Sequence, residues 1–140
     1  MNIKGVKIFD PIRVKIRDIL QEFSGEILKW TILFLDGVTN KGEGKTLLEF
    51  AKQVNTSKNG IAVTKEELFK ISDRFFQIYE IVVIGNKDFC NSHRYNNENE
   101  MISKCSVVIT LIDCACWEIY SKNSDIIQNI KDKFNNTEFI

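Results

Sequence analysis

Val107–Tyr120 reads VVITLIDCACWEIY, and the fold depends on how this stretch is built. Its β-branched opening, Val107 to Ile112, is the strongest strand signal in the chain, and the strand is expected over Cys105–Asp113. Asp113 follows, then two thiols, Cys114 and Cys116, around an alanine, then Trp117 and Glu118. Glu118–Tyr120 either continues that strand after a bend or begins another. A buried strand that delivers a carboxylate, thiols and an indole to its end suits an active site, a metal site or a binding rim. The residue types alone do not choose among these.

Working outward, Ile3–Phe9 alternates as a strand, and Asp10-Pro11 then offers an N-cap and a first helical residue. Ile12, Ile16, Ile19, Leu20 and Phe23 recur at helical spacing, and Ser24-Gly25 ends that helix. Leu28–Asp36 is apolar on both faces, with Trp30, Ile32 and Phe34 on one and Leu33 and Leu35 on the other, so it is expected to be a central strand. Asn59-Gly60 marks a turn, and Thr64 with Glu67 forms a capping box for a helix from Lys65, striped by Leu68, Ile71, Phe75 and Ile78. Ile81–Ile84 is a short strand closed by Gly85. Beyond Tyr120, Ser121–Ser124 leads into a helix lined by Ile126, Ile127, Ile130 and Phe134, and Glu138–Ile140 adds a last short strand. The order predicts a mixed α/β (α+β) domain, residues 1–140: a single layer of about four to six strands with three or so helices.

Two segments carry less regular signals. Gly37–Thr46, GVTNKGEGKT, follows a strand and resembles a phosphate-binding loop, but Thr39 stands where the first glycine of that motif is needed. Glu43 would also set a carboxylate among the phosphates. The following Leu47–Val54 fits a helix or a strand; as a strand it would pair back on Leu28–Asp36 and remove any helix N-terminus from the loop. Asn86–Lys104 has no periodicity and holds the only histidine, His93, beside Arg94 and Tyr95, with Glu98 and Glu100 further on. Structureless segments of this length are commonly functional.

The 140 residues are 44% hydrophobic and 27% charged, enough for one soluble domain with a real core. Nineteen basic and nineteen acidic residues cancel, which argues against bulk electrostatic attachment to nucleic acid or membrane. The N-terminus lacks a signal-type apolar region, and no apolar run approaches the roughly eighteen residues of a membrane span. A cytoplasmic protein with free thiols is expected.

Four constellations carry possible chemistry. Cys90, His93, Cys114 and Cys116 offer zinc-type ligands, although thiols after a core strand more often serve as small apolar residues. A cysteine activated by His93 would be a nucleophile. Asp113 and Glu118, with Asp36, could do acid–base work or face a basic partner. Trp117, Tyr120 and Tyr95 with Arg94, Glu98, Glu100 and Glu118 make an aromatic and charged rim of the kind that dominates protein interfaces.

Three stretches, LKWTILFLDG (Leu28–Gly37), NGIAVTKEELFKISDRFFQIYEIVVIG (Asn59–Gly85) and LIDCACWEIYSK (Leu111–Lys122), resemble small bacterial immunity proteins of contact-dependent growth-inhibition and polymorphic toxin systems. The likeness lies in a Trp-led strand, an Asn-Gly turn before a T-K-E-E-L helix, a strand ending in glycine, and an Asp-x-x-x-Trp-Glu segment before the final helix. It implies a cytoplasmic antitoxin, without catalysis or cofactor, that binds the C-terminal domain of a toxin such as a nuclease or tRNase and blocks its active site. The chain would act as a monomer or weak dimer, with no direct contact to nucleic acid or membrane. Cys114 and Cys116 stand where small polar or aromatic residues are expected. The candidate partner contacts are Arg94, Tyr95, Glu98, Glu100, Asp113, Trp117 and Glu118. The alternative is a small nucleotide-binding or hydrolytic domain using residues 37–46 and Asp113.

Overall fold

The computed structural model describes residues 4–140. In order along the chain it has β1 (Lys4–Ile8), α1 (Ile16–Leu20, continued by a 3-10 turn at Gln21–Phe23), β2 (Lys29–Thr39), α2 (Gly44–Thr56) and β3 (Ile61–Val63). Then come α3 (Lys65–Arg74), β4 (Phe75–Asn86), α4 (Glu98–Lys104), β5 (Val107–Leu111), β6 (Trp117–Ser121), α5 (Ser124–Lys133) and β7 (Thr137–Phe139). The strands form one seven-stranded sheet in the order β3-β2-β4-β5-β6-β1-β7, every neighbouring pair antiparallel. The mixed α+β character is as expected; among the described residues the sheet is larger than four to six strands, and five α-helices accompany it. No helix among the described residues is long and apolar enough to cross a membrane.

The stretch 107–120 is a hairpin. β5 and β6 pair from Val107↔Ser121 to Leu111↔Trp117, so Trp117 and Glu118 begin a new strand. At the turn Asp113 and Cys114 both take positive φ, 51° and 55°, and the Ala115 N–H closes back on the Ile112 carbonyl at 3.0 Å. This left-handed turn sits at the tip of the longer connection, residues 112–116, between the paired Leu111 and Trp117. The Cys114 N–H also reaches the Tyr79 carbonyl at 2.9 Å and ties the tip to β4.

One sheet face carries the main core. Val6, Ile8, Ile81, Val83, Ile109, Leu111, Trp117 and Ile119 meet the apolar stripes of α1, α2, α3 and α5 there. Leu47–Val54 is helical: Leu47, Ala51 and Val54 reach this core at i, i+4, i+7. β2 departs from simple alternation. A register shift between Ile32 and Phe34 puts Leu35, and not Phe34, with Trp30 and Ile32 in the main core, while Leu33 keeps the opposite face and Phe34, paired with Val82, joins it.

Three boundaries also differ from expectation. The helix expected to run to Ile78 stops at Arg74, because Phe75–Asn86 is long enough to pair with all of β2. FFQIYEIVVI is rich in aromatic and β-branched residues, and the pleated sheet accommodates them better than a helix. Asp10-Pro11 opens a turn and not a helix: the Asp10 carboxylate accepts from the Arg13 N–H at 3.2 Å. The helix proper starts at Ile16, where the Asp18 carboxylate accepts from the Lys15 N–H at 2.9 Å. β7 lies one residue earlier than expected, and Ile3, the first residue of the predicted first strand, lies outside the described residues.

Candidate functional site

The second face of the sheet is only half covered. α4 and the segment 87–97 lie over one end, where Met101 and Cys105 pack with Leu33, Ile84, Val108, Tyr95 and Tyr120. Asn86–Lys104 is therefore not structureless. Asn97 caps α4 by accepting from the Glu100 N–H at 2.8 Å, with Glu98 and Glu100 in its first turn. Buried Asn86 accepts from the Ser106 N–H at 3.0 Å and donates to Ser92 Oγ at 3.3 Å, pinning the segment to the sheet.

Arg94 is half-buried and tied to the backbone. Nη1 donates to the Leu33 carbonyl at 2.6 Å, Nη2 to Val54 at 2.7 Å and Nε to Ser57 at 2.9 Å. A cation at the end of α2 meets the negative pole of that helix. The same guanidinium satisfies the carbonyl exposed by the β2 irregularity. Tyr95 is half-buried in the second cluster; its hydroxyl donates to the Asn91 carbonyl at 2.6 Å, and burial raises the pKa of its phenol. His93 stacks on Tyr95 at 4.3 Å, with Nδ1 2.8 Å from the Arg94 carbonyl oxygen. Trp117 is core: it is 2% exposed, and its indole N–H donates to the Val14 carbonyl at 3.0 Å. A partner docking on this structure cannot touch that indole.

The acids behave differently. By strand alternation, Glu118 shares the second face with Tyr120, whose hydroxyl donates to the Glu118 carboxylate at 3.0 Å. Burial raises the Tyr120 phenol pKa, and the charges of Glu118 and of Glu98 on α4 add to the effect. Glu98 opens α4, the helix whose Met101 packs in the cluster that includes Tyr120, so α4 and β6 meet at this end of the face. Glu100 belongs with Lys104, at 3.3 Å across one helical turn. Asp113 is exposed at the hairpin tip.

Away from this cluster the second face is less covered, and Asp36 and Ile112 are exposed there. One row across the strands is Phe34, Val82, Thr110, Glu118 and Lys7, which are paired in register. Next to it Asp36 pairs directly with Glu80. Neither Asp36, Glu80, Glu98, Glu118 nor Asp113 belongs to an ion pair among the described residues. Asp36 was only a secondary candidate from sequence and Glu80 was missed. Their common face depends on pairing between distant strands, which a local pattern does not report.

The thiols do not assemble into a site. Cys90 is exposed, Cys105 is buried, and Cys114 sits against the Gln77 amide at 3.5 Å and the Ile78 carbonyl at 3.6 Å. The Asp88 carboxylate raises the Cys90 pKa, and burial raises those of Cys105 and Cys116, which favours the protonated thiol over the thiolate a nucleophile needs. No group of three or more candidate metal ligands occurs among the described residues.

The glycine-rich segment does lead into a helix. β2 runs to Thr39, and α2 begins at Gly44. Gly37 lies inside the strand, where an added Cβ would meet the Gln77 carbonyl oxygen at 2.4 Å, so its role is close packing. Glu43 stands at the helix N-cap position with its carboxylate paired to Arg74 Nε.

These features define a class, an antiparallel α+β protein with one face of its sheet partly uncovered and lined by unpaired acids. Comparison with protein-family models, curated proteins and solved structures gives no match to this chain.

Proposed function

We propose that this chain is an immunity protein of the kind its sequence resembles: a cytoplasmic antitoxin that binds the C-terminal domain of a bacterial toxin and blocks its active site or substrate path. A nuclease or tRNase is the toxin chemistry that fits best. The observation that carries the reading is the Tyr120–Glu118 pair on a partly covered sheet face, beside α4 with Glu98 in its first turn. Nuclease active sites attract phosphates with cations, so carboxylates held on a rigid sheet can stand in for the nucleic-acid backbone. An aromatic beside them supplies desolvated contact area that slows dissociation. The binding role needs no bond-making group of its own, and the chain works as a monomer or weak dimer.

The test is co-expression with the toxin domain encoded beside this gene. Co-purification of a stoichiometric complex and rescue of growth are expected. A toxin domain that stays free and active in the presence of this chain would sink the reading.

A second reading, a small nucleotide-binding or hydrolytic domain that would use residues 37–46 and Asp113, draws on α2 beginning within the glycine-rich segment, at Gly44. The Glu43 carboxylate at that helix end opposes a phosphate. Thermal stabilisation by nucleotide and magnesium that is lost in Lys45→Ala would favour it.

A further inference from the structure

We infer that the uncovered half of the second sheet face, centred on Asp36 and Glu80, is a docking surface for a basic protein surface that also carries apolar or aromatic side chains. The inference concerns the same face as the proposed function but requires only that the occupant be basic, whatever its activity.

Three observations converge on it. Asp36 and Glu80 are directly opposed across β2 and β4, and neither is ion-paired among the described residues. Like charges directly opposed in a sheet destabilise it, so the free protein holds a repulsion that a partner's cation would relieve. The chain as a whole is neutral, with 19 basic and 19 acidic residues. The acids Asp36, Glu80, Glu98, Asp113 and Glu118 are therefore a local excess, with Lys7 opposite Glu118 as the lysine in register with them. Large apolar side chains stand exposed at the same end of the sheet. Val38, Phe76, Tyr79 and Ile112 are between 41% and 68% exposed, and they lie within or just beyond the strand segments that hold the acids. Acids set among exposed aromatics give both steering and desolvated contact. A second copy of the chain is disfavoured as the occupant, because two such faces would oppose acid to acid.

The experiment is a backbone-amide NMR titration with a hexapeptide of alternating arginine and tryptophan at low ionic strength, beside thermal unfolding of the same variants. Saturable shifts confined to the amides of Asp36, Glu80, Thr110 and Glu118 and their strand neighbours are expected. Asp36→Asn with Glu80→Gln should weaken peptide binding at least fivefold and raise Tm, because the repulsion is gone. Glu118→Gln serves as an independent variant should the double change fail to fold, and it should weaken binding at least twofold. Shifts centred elsewhere, binding unchanged in both variants, a lowered Tm in the folded double variant, or dimerisation of the free chain through this face would overturn the inference. Because the peptide replaces the toxin, a negative toxin experiment leaves this result standing, and the converse also holds.

Discussion

At the scale of single residues, the side chains most prominent in the sequence are structural. Arg94 spends its donors on three backbone carbonyls from β2, α2 and the residue that follows α2. Charge-assisted bonds to buried carbonyls are strong, so Arg94→Ala should lower stability by about 2–3 kcal/mol in urea unfolding. The outcome that contradicts this assignment is full stability with loss of partner binding, which would return Arg94 to the interface. Thr31 gives the opposite case. Its hydroxyl is buried at 2% exposure and has no partner among the described residues. Thr31→Val keeps the shape and removes an unsatisfied group, so stability should rise by about 1 kcal/mol. A fall in the urea midpoint would reveal a partner for that hydroxyl. Trp117 shows why residue type misleads: an indole suits a core and an interface equally, and only its bond to Val14 and its burial decide.

At the scale of elements, the β5–β6 hairpin and the edge of β2 are the places where local chemistry is stretched. Two consecutive non-glycine residues, Asp113 and Cys114, hold left-handed backbone at the hairpin turn. Aspartate tolerates that conformation, and cysteine tolerates it less well. Cys114→Gly should therefore raise stability by about 1 kcal/mol, read from thermal unfolding. If stability drops, the thiol contacts to Gln77 and Ile78 outweigh the backbone strain. Past Ile32 the outer edge of β2 has no strand beside it, because β3 pairs only with Trp30–Ile32. The Asn55 amide closes this gap: it accepts from the Leu35 N–H at 2.9 Å and donates to the Leu35 carbonyl at 2.9 Å. Together with Arg94 on the Leu33 carbonyl, it caps an edge that would otherwise invite another strand.

At the scale of the whole molecule, packing divides labour between the two sheet faces. The helices α1, α2, α3 and α5 and the main core bury one face, and α4 with its preceding segment covers part of the other. Stability comes mainly from the first, which leaves the uncovered half of the second available for recognition. Under the proposed function, Glu98→Lys with Glu118→Lys should slow toxin association about tenfold at low salt, with a smaller effect at high salt. Stopped-flow association rates at two ionic strengths check this. Rates that match wild type at both would place the interface elsewhere. Glu100→Lys is the internal comparison, since Glu100 already pairs with Lys104 and should matter less to the encounter.

Much of the element order was legible without coordinates. The T-x-x-E box at Thr64–Glu67 marks the start of α3, and the box is formed: the Thr64 hydroxyl accepts from the Glu67 N–H at 3.1 Å, and the Glu67 carboxylate accepts from the Thr64 N–H at 3.0 Å. The β-branched run at 107–111 and the spacing of Ile126, Ile127 and Ile130 are equally local, so periodicity and capping report them. α4 was not legible because a seven-residue helix has too few turns to show a stripe. The N-terminal half of β4 was missed because Phe75–Ile78 fits either period, and pairing with β2 decides between them.

Sequence by itself therefore determined a single mixed α+β chain, the main strands and helices, and the residue types available for recognition. Those properties depend on neighbours within about one or two helical turns. Tertiary structure alone decided that Trp117 is internal, that Arg94 is tied to three backbone carbonyls, and that Asp36, Glu80 and Glu118 share one face. Contacts such as these join segments distant along the chain, and burial and charge context exist only once the sheet has brought those segments together.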